Sequence, residues 1–438
     1  MRIFLIVLIL SFIFSASSNA KDINFLEYDL PNGLHVILHQ NRSVPIVVVS
    51  VMYHVGSKNE DPHKTGFAHF FEHLMFEGSD NIGRGEYAKY VNSAGGICNA
   101  NTTVDRTYYY EEFPSNQLAL GLWLESERML HAKVDEVGIK TQKEVVKEER
   151  RLRYDNQPYG TVMEEIMKRS YINHPYRWTT IGSMNDIGKA TFADFAGFYK
   201  TFYVPNNAVL VVAGDIEIGK TKKLVSRYFS DIPKSFKNIP RPVNIETAQT
   251  SETKGVVYDN IRLPAIVFAY HIPAWGEKDF YAIELLTSVL SGGASSRLYK
   301  SLVDDTQKAL DVSMFALPYE HSSLALVFAT ANLNVALFKL LDLIDKELDK
   351  VKHEVISDYE MQKLKNQIEN TSVDAKSSLA GIAENLAGYY TFFHNTNLIN
   401  TEIDKYLDVT KEDIKRVANK YFTKKNRVVL YWEPVQYK

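Results

Sequence analysis

Apolar residues along the chain alternate between the two-residue period of strands and the wider period of helices. The run 46–53 is β-branched and mostly apolar, and 208–213 has the same character, so both predict buried strands. The segment 26–55 predicts a hairpin, because the turn signal Pro31-Asn-Gly separates two of its apolar stretches. A strand is also predicted over 108–113, and helices are predicted over 66–78, 85–91, 116–131, 135–153 and, more loosely, 160–171.

The clearest linker in the sequence lies between Asp231 and Gly255. This stretch is polar, contains Pro233, Pro240 and Pro242, and has almost no periodic apolar pattern. It divides the chain nearly in half. We therefore predict a first domain over 21–235, a linker over 236–255 and a second domain over 256–438.

The two halves of the sequence resemble copies of one unit. The strand and helix at 266–293 repeat those at 46–78 at an offset of 214 residues, and 421–431 repeats 202–212 at an offset of 219. Two offsets this close indicate an internal duplication, because chance matches have no reason to keep one spacing.

Residues 1–20 have the pattern of a secretory signal peptide. The positive charge of Arg2 precedes an apolar run from Ile3 to Phe14, and small residues lead up to Ala20. The apolar run is too short to span a bilayer comfortably, and no later run reaches the ~20 apolar residues that a span needs. We expect an exported protein, periplasmic or secreted, without stable membrane insertion; an uncleaved anchor is the alternative.

Composition narrows the function classes further. The formal net charge is -3, so neither sign dominates and nothing indicates binding to nucleic acid or to an anionic membrane surface. Cys98 is the one cysteine in the sequence, which excludes an intrachain disulfide. The domains must therefore be held together by their hydrophobic cores.

A candidate metal site lies in the helix predicted over 66–78. His69 and His73 are four residues apart and Glu72 is at i+3 from His69, so all three share one helical face. Two imidazoles placed this way can occupy two corners of a tetrahedral Zn²⁺ site, with Glu72 close enough to take a proton from water. The structural alternative is an amphipathic helix with two half-buried histidines. On the 214-residue offset, these three positions become Ile283, Leu286 and Thr287, so we expect one zinc ion per chain.

The third protein ligand is expected in the predicted helix 135–153, where Glu148 and Glu149 compete. Helical phase favours Glu149, which shares an inward stripe with the residues at 142, 145, 146 and 152. Glu148 falls on the charged side with Glu144 and Arg151, as a glutamate in a solvated charge run would.

These residues carry a resemblance to a known family. His69-Phe-Phe-Glu-His73, followed 76 residues later by Glu149, resembles the zinc site of the pitrilysin, insulinase and mitochondrial-processing-peptidase family of metallopeptidases. The similarity extends over most of the chain after the signal segment, through Leu30-Pro-Asn-Gly, Ala94-Gly-Gly-Ile-Cys-Asn-Ala-Asn and Asp105-Arg-Thr-Tyr-Tyr-Tyr.

The resemblance implies an α+β fold of two similar domains, each a mainly antiparallel sheet with helices packed on one face. It implies zinc as cofactor and Glu72 as the general base that passes the proton of the attacking water to the leaving amine. It also implies that Asn99 and Ala100 lie on an edge strand to which a peptide substrate adds. The structural alternative for that segment is an ordinary Gly-Gly turn before a strand.

Two departures from the family pattern concern substrate binding and the metal's surroundings. Seven residues before Glu149 the family has a supporting glutamate, where this chain has Gln142, which carries no charge. Family members often place an Arg and a Tyr, seven apart, in the second half to grip the substrate, and here Val303 and Leu310 occupy those positions. The nearby Arg297 and Tyr299 are two residues apart.

The function indicated is that of an exported zinc metallo-endopeptidase acting on unfolded peptides. A half-length chain supplies two of the four domains that the family closes around a chamber. The substrate-gripping Arg and Tyr pair, called the grip below, is missing from this chain. We therefore expect a heterodimer with a paralogous chain that has the grip and lacks the zinc motif; a homodimer is the alternative. A non-catalytic assembly or peptide-binding subunit is the competing function, and a processing enzyme for one dedicated peptide is a third.

Overall fold

The computed structural model describes residues 22–243 and 246–435. The predicted signal peptide over 1–20 lies outside the described residues. The strands of the first half are β1 (Leu26–Asp29), β2 (His35–Gln40), β3 (Ile46–Tyr53), β4 (Ile97–Thr102), β5 (Thr107–Pro114) and β6 (Ala208–Gly214). Those of the second half are β7 (Thr253–Asp259), β8 (Ala265–Ile272), β9 (Ala309–Leu317), β10 (Ser323–Ala331) and β11 (Arg427–Pro434).

Helices connect these strands in both halves. In the first half they are α1 (Phe67–Leu74), α2 (Tyr87–Ser93), α3 (Leu118–His131), α4 (Glu136–Arg150), α5 (Val162–Ser170), α6 (Met184–Lys189), α7 (Phe192–Phe202) and α8 (Ile218–Phe229). In the second half they are α9 (Lys278–Ser291), α10 (Arg297–Tyr299), α11 (Leu337–His353), α12 (Asp358–Ala375), α13 (Leu379–Phe393), α14 (Leu398–Leu407) and α15 (Lys411–Tyr421). Two π-helical turns, Arg151–Asp155 and Lys300–Asp305, follow α4 and α10.

The two sheets share one strand order, except that the first sheet has the additional edge strand β1. The first has the order β1-β2-β6-β3-β5-β4 and the second β7-β11-β8-β10-β9. Each sheet contains one parallel pair, β2 with β6 and β7 with β11, and all its other pairs are antiparallel. The predicted α+β fold of two similar, mainly antiparallel domains is therefore confirmed. The strands at the centre, such as β3 and β6, are β-branched and buried on both faces, as the sequence predicts.

Each half has its main core on one face of its sheet. In the first half, buried residues of α1, α3, α7 and α8 pack against the sheet, among them Phe70, Leu122 and Val225. In the second half, buried residues of α9, α11 and α15 do the same, among them Ile283 and Ile344. These one-sided helical layers follow from the amphipathic pattern of the helices, which must bury one apolar stripe each.

The opposite face of each sheet packs against a helix from the other half. Leu386 and Ala387 of α13, from the second half, lie against Val48 and Val211 of the first sheet. Ile166 of α5, from the first half, lies in one cluster with buried residues of β8, β10 and β11 in the second sheet. This exchange of helices joins the halves through two separate apolar contacts.

A buried polar network also crosses between the halves. The Lys58 ammonium is fully buried and donates to Asp105 in the β4–β5 hairpin at 2.8 Å and to Glu320 of the second half. Tyr176 donates its hydroxyl to the same Asp105 carboxylate at 2.6 Å. Because a buried charge needs close partners, these groups fix how the halves sit against each other.

Among the described helices, none is both long enough and apolar enough to cross a membrane.

The helix exchange predicts that α13 contributes strongly to stability. Replacing Leu386, which is fully buried, by alanine leaves a cavity between α13 and the first sheet. We expect the free energy of unfolding to fall by about 2–5 kcal/mol, measured by urea denaturation. The control is Leu310→Ala, because Leu310 is 59% exposed and its loss should change stability by about 0.5 kcal/mol or less. Equal effects of the two substitutions would contradict this role of α13.

Candidate metal centre

Helix α1 presents its two chemically different faces to different surroundings. Its apolar residues, including Phe67, Phe70 and Phe71, are buried in the core of the first half. His69, Glu72 and His73 lie between them in sequence and are only partly buried. The 3.6-residue period of the helix thus turns all three polar side chains to one side.

The start of α1 is held by a buried carboxylate. Glu60 accepts hydrogen bonds from the backbone N–H groups of Gly66 and Ala68, at 2.8 Å each, and from the Trp178 indole at 3.1 Å. Gly66 itself has φ +92°, and a Cβ there would lie 2.8 Å from the Ile181 carbonyl oxygen. A glycine is therefore required at this position, and the helix begins at a fixed place and angle.

Aromatic side chains from α7 hold the buried face of α1. Phe195 stacks on Phe67 and lies against Phe70, with ring centroids 4.6 and 4.5 Å apart. Phe71 stacks on Tyr199 at 6.0 Å, and its carbonyl accepts a 3.0 Å hydrogen bond from the Tyr109 hydroxyl on β5. Large rings in close contact leave the helix little freedom to rotate, so the histidines keep their direction.

The structure brings the three predicted ligands together. The Nε2 atoms of His69 and His73 are 3.3 Å apart. The Oε2 atom of Glu149 lies 3.5 Å from Nε2 of His69 and 3.1 Å from Nε2 of His73. Tetrahedral coordination with bonds of ~2.0–2.1 Å separates ligand atoms by ~3.3 Å, which matches all three distances. Within the part of the chain that the structure describes, these residues form the one such group of three.

The electrostatics of the three residues fit a cation. Burial, together with the charge of His73, lowers the pKa of His69 to about 4, so its imidazole is neutral at neutral pH, which is the form that binds metal ions. The adjacent His73 imidazole, whose Nε2 lies 3.1 Å from Oε2, lowers the pKa of Glu149, which keeps its carboxylate ionised. Oε2 of Glu149 is buried and has no hydrogen-bond partner among the described residues, as expected for an atom that binds a metal.

Of the two competing glutamates, the structure places only Glu149 at the histidines. Glu148 points outward and pairs with Arg151 at 2.6 Å. The predicted inward stripe is wrong for two other members, because Val145 is 42% exposed and Leu152 is 56% exposed. Leu152 lies beyond the end of α4, in the π-helical turn that shifts the helical phase, and only Val146 of the valine pair is buried.

Glu72 lies beside the three ligands but is not one of them. Burial raises the pKa of its carboxyl group, and the charges of His73, Glu149 and Arg106 also act on it. A raised pKa makes the carboxylate a stronger base at neutral pH.

Gln142 is linked to the metal centre indirectly. Its Nε2 donates a 2.6 Å hydrogen bond to Glu77, which also accepts from Arg84. Arg84 in turn forms two hydrogen bonds of 2.8 and 2.9 Å with Asp135, the N-cap residue of α4. This chain of contacts ties the segment after α1 to the start of α4. A glutamate at position 142 would face Glu77 with a second negative charge, whereas the amide supplies a donor.

Asn99 and Ala100 lie on β4, the edge strand of the first sheet, and α1 packs against this strand. β4 pairs with β5 and with no other strand of the described residues. Thr103 N–H donates to the Arg106 carbonyl at 2.8 Å, so by alternation Asn101 and Asn99 bond to β5. The main-chain groups of Ala100 and Thr102 therefore point to the open side. The Ala100 N–H is occupied by Oδ1 of Asn99 at 2.8 Å.

The two positions expected to carry the grip lie apart in the second half. Val303 is in the π-helical turn Lys300–Asp305 and packs partly against the second core, whereas Leu310 is exposed on β9. Arg297 forms a two-pronged ion pair with Glu360, at 2.8 and 3.0 Å, and so has a structural partner.

Two arginines near the site were not predicted from the sequence. Arg153 contacts Oε1 of Glu149 at 3.0 Å. Arg106 donates to Asn101 on β4 and to Glu384 on α13, and its charge acts on Glu72. The i,i+4 spacing of Glu149 and Arg153 was a usable signal for the first arginine. Nothing local to the sequence relates Arg106 to α13.

Two family models, both of peptidase M16, match different parts of the chain. Residues 35–183 match the model described as insulinase (peptidase family M16), and residues 189–368 match the model described as the peptidase M16 inactive domain.

Similar proteins and structures cover nearly the whole chain. The zinc protease PqqE of Helicobacter pylori is 33% identical over 411 residues, which are 92% of each chain. The probable beta subunit of the mitochondrial-processing peptidase of Arabidopsis thaliana is 24% identical over 93% of this chain and 78% of its own. The crystal structure of a protease from Helicobacter pylori superposes with a TM-score of 0.90 and 31% identity, covering 94% of this chain and all of the other.

The neighbouring glutamates allow a matched test of the metal ligands. We expect Glu149→Gln to lose most of its zinc, because an amide oxygen is a weaker ligand than a carboxylate. Glu148→Gln should keep about one zinc ion per chain, because Glu148 contacts Arg151 and not the histidines. The measurement is the metal content of each purified protein. The opposite pattern would show that Glu149 is not the ligand.

Proposed function

Because the chain belongs to the insulinase family of peptidases (peptidase family M16), we propose that it is a zinc metallo-endopeptidase that cleaves unfolded peptides. The observation that carries this proposal is the triangle of His69, His73 and Glu149, with sides of 3.1 to 3.5 Å, beside the carboxylate of Glu72. A zinc ion held there supplies a Lewis acid that activates water and polarises the scissile carbonyl.

In the proposed reaction, Glu72 moves the proton. Its carboxylate takes the proton of the attacking water and passes it to the nitrogen of the leaving amine. Glu72 precedes His73 directly and is about one turn of α1 from His69, which puts its carboxylate near the proposed reacting atoms, and its raised pKa suits a base that must also act as an acid. The buried apolar face of α1 keeps this carboxylate at a constant position relative to the histidines.

The edge strand β4 is proposed as the substrate-binding element, with Asn99 and Ala100 in contact with the peptide. A peptide that adds as a further strand would pair with the outward main-chain groups of Ala100 and Thr102. The Asn99 side chain that occupies the Ala100 N–H is displaced when the peptide binds. Main-chain pairing depends on few substrate side chains, so it favours broad specificity for extended peptide segments.

Export to the periplasm or the exterior is also proposed, and it is supported by the sequence pattern of residues 1–20. An enzyme that processes one dedicated peptide precursor would have the same metal centre.

The competing function is a non-catalytic assembly or peptide-binding subunit. The second half of the chain matches a model described as an inactive domain, and Ile283 and Leu286 there are fully buried. A chain with both halves of that kind would have no need for His69, Glu72, His73 and Glu149. Their presence in one cluster favours the enzyme.

The proposed partner is a paralogous chain that carries the missing substrate grip. This chain has Val303 and Leu310 at the positions where the grip is expected, and they lie on separate elements. A homodimer would therefore hold two metal centres and no grip. One relative, the mitochondrial-processing peptidase of Arabidopsis thaliana, is named as a beta subunit.

The role of Glu72 is tested with Glu72→Gln. We expect this variant to keep zinc and its melting temperature but to cleave an unstructured peptide about 10²–10⁴-fold more slowly, because an amide cannot accept the water proton. Glu144→Gln is the control, since Glu144 is exposed on α4 and pairs with Lys147. Cleavage by Glu72→Gln at the wild-type rate would show that another group is the base.

The partner is tested by assaying the protein alone at a known oligomeric state. We expect low peptidase activity from the pure protein and a large increase when the paralogue is added, because the paralogue would complete one site. The measurement is peptide cleavage alongside size-exclusion chromatography with light scattering. Full activity from a pure homodimer would contradict the heterodimer.

A further inference from the structure

The two carboxylate oxygens of Glu149 have different neighbours. Oε2 lies 3.1 and 3.5 Å from the histidine Nε2 atoms. Oε1 lies 3.0 Å from Nη1 of Arg153, one turn further along the chain. The guanidinium therefore takes one oxygen and leaves the other directed at the position where a cation would bind.

Arg153 is held in place by its own stretch of backbone. It lies in the π-helical turn Arg151–Asp155, where the Asn156 N–H donates to the Arg151 carbonyl at 2.9 Å. The Gln157 side chain donates to the Leu152 carbonyl, also at 2.9 Å. These two bonds hold the carbonyls of the two residues before Arg153, so the wide turn presents Arg153 back toward Glu149 in a defined way. Wide turns of this kind occur often at functional sites.

We infer that Arg153 is a positioning residue for the metal, an inference that rests on the proposed zinc site. Its ion pair with Oε1 limits the rotation of the Glu149 carboxylate, so that a single oxygen, Oε2, is presented to zinc. Residues that hydrogen-bond to a metal ligand orient that ligand and raise the affinity of the site. Two carboxylates, Glu72 and Glu149, face the site. The positive charge of Arg153 partly neutralises the negative charge of Glu149.

A purely structural role for the same ion pair makes a different prediction. The Arg153 side chain is 74% exposed and Glu149 is 15% exposed. Ion pairs in which one partner is this exposed contribute little to folding. Loss of Arg153 should therefore weaken zinc binding and leave the stability of the metal-free protein unchanged.

Arg151 supplies a matched control on the same turn. It is also exposed and also pairs with a glutamate of α4, but that glutamate is Glu148, which is not near the histidines. Arg151→Gln and Arg153→Gln thus remove the same charge from neighbouring positions, and only Arg153→Gln removes the contact to the ligand. Arg153→Lys keeps a charge and an N–H donor.

The experiment measures the zinc Kd of the purified full chain by competition with a chelator at fixed pH and salt, together with the melting temperature of the metal-free protein. We expect Arg153→Gln to bind zinc about 10-fold more weakly. We expect Arg153→Lys to stay within about threefold of wild type and Arg151→Gln to be unchanged. All metal-free variants should have the same melting temperature as the metal-free wild type. Saturating zinc should restore the peptidase activity of Arg153→Gln.

Several results would overturn the inference. They are a wild-type zinc Kd for Arg153→Gln, an equal weakening in Arg151→Gln, and an Arg153→Lys Kd as weak as that of Arg153→Gln. These outcomes are separate from failure of the proposed function. A wild-type protein that binds zinc without hydrolysing peptides would sink the peptidase proposal and leave the role of Arg153 standing, whereas a wild-type protein that binds no zinc would sink both.

Discussion

The packing of α1 against α4 is the contact on which the metal centre depends. Two of the proposed ligands come from α1 and the third, Glu149, comes from α4, so the distance between the helices sets the distances from Glu149 to both histidines. Val146 of α4 is fully buried in the core that also contains the apolar face of α1, and the contacts from Gln142 through Glu77 and Arg84 join the end of α1 to the start of α4. A shift of one helix by 1 Å would change the ligand separations of 3.1 to 3.5 Å by a comparable amount. The relative positions of the three proposed ligands are therefore set by helix packing.

Much of this site follows from the sequence because it depends on short-range geometry. One turn of helix fixes the relation of His69, Glu72 and His73 whatever the rest of the chain does. Helical phase distinguishes Glu149 from Glu148. The same phase also predicts that Val145 and Leu152 face inward, and this is wrong because both are exposed. The phase argument ends at Arg150, where the helix widens, and apolar periodicity has no signal for a π-helical turn.

The parts that escaped prediction are those that depend on contacts between distant segments. The amphipathic pattern of α5 and α13 predicts that each helix buries one face, but it does not predict which sheet that face packs against. Each packs on the sheet of the opposite half. The same limit applies to Lys58, whose partners Asp105 and Glu320 are far away in sequence. A buried lysine cannot be distinguished from an exposed one without knowing the topology.

The helix exchange gives the second half, which lacks the proposed metal ligands, a structural role in the first half. At the positions that correspond to the histidines, α9 carries Ile283 and Thr287, and both are buried. That helix belongs to the core of its own half, so these positions contribute to packing there. Its α13 meanwhile covers the second face of the first sheet, whose strands β3 and β6 are apolar on both sides. Without α13 those valines would face water, and the sheet that supports α1 would lose one of its two cores. The second half therefore supports the candidate metal centre structurally, because its α13 covers the far face of the sheet against which α1 packs.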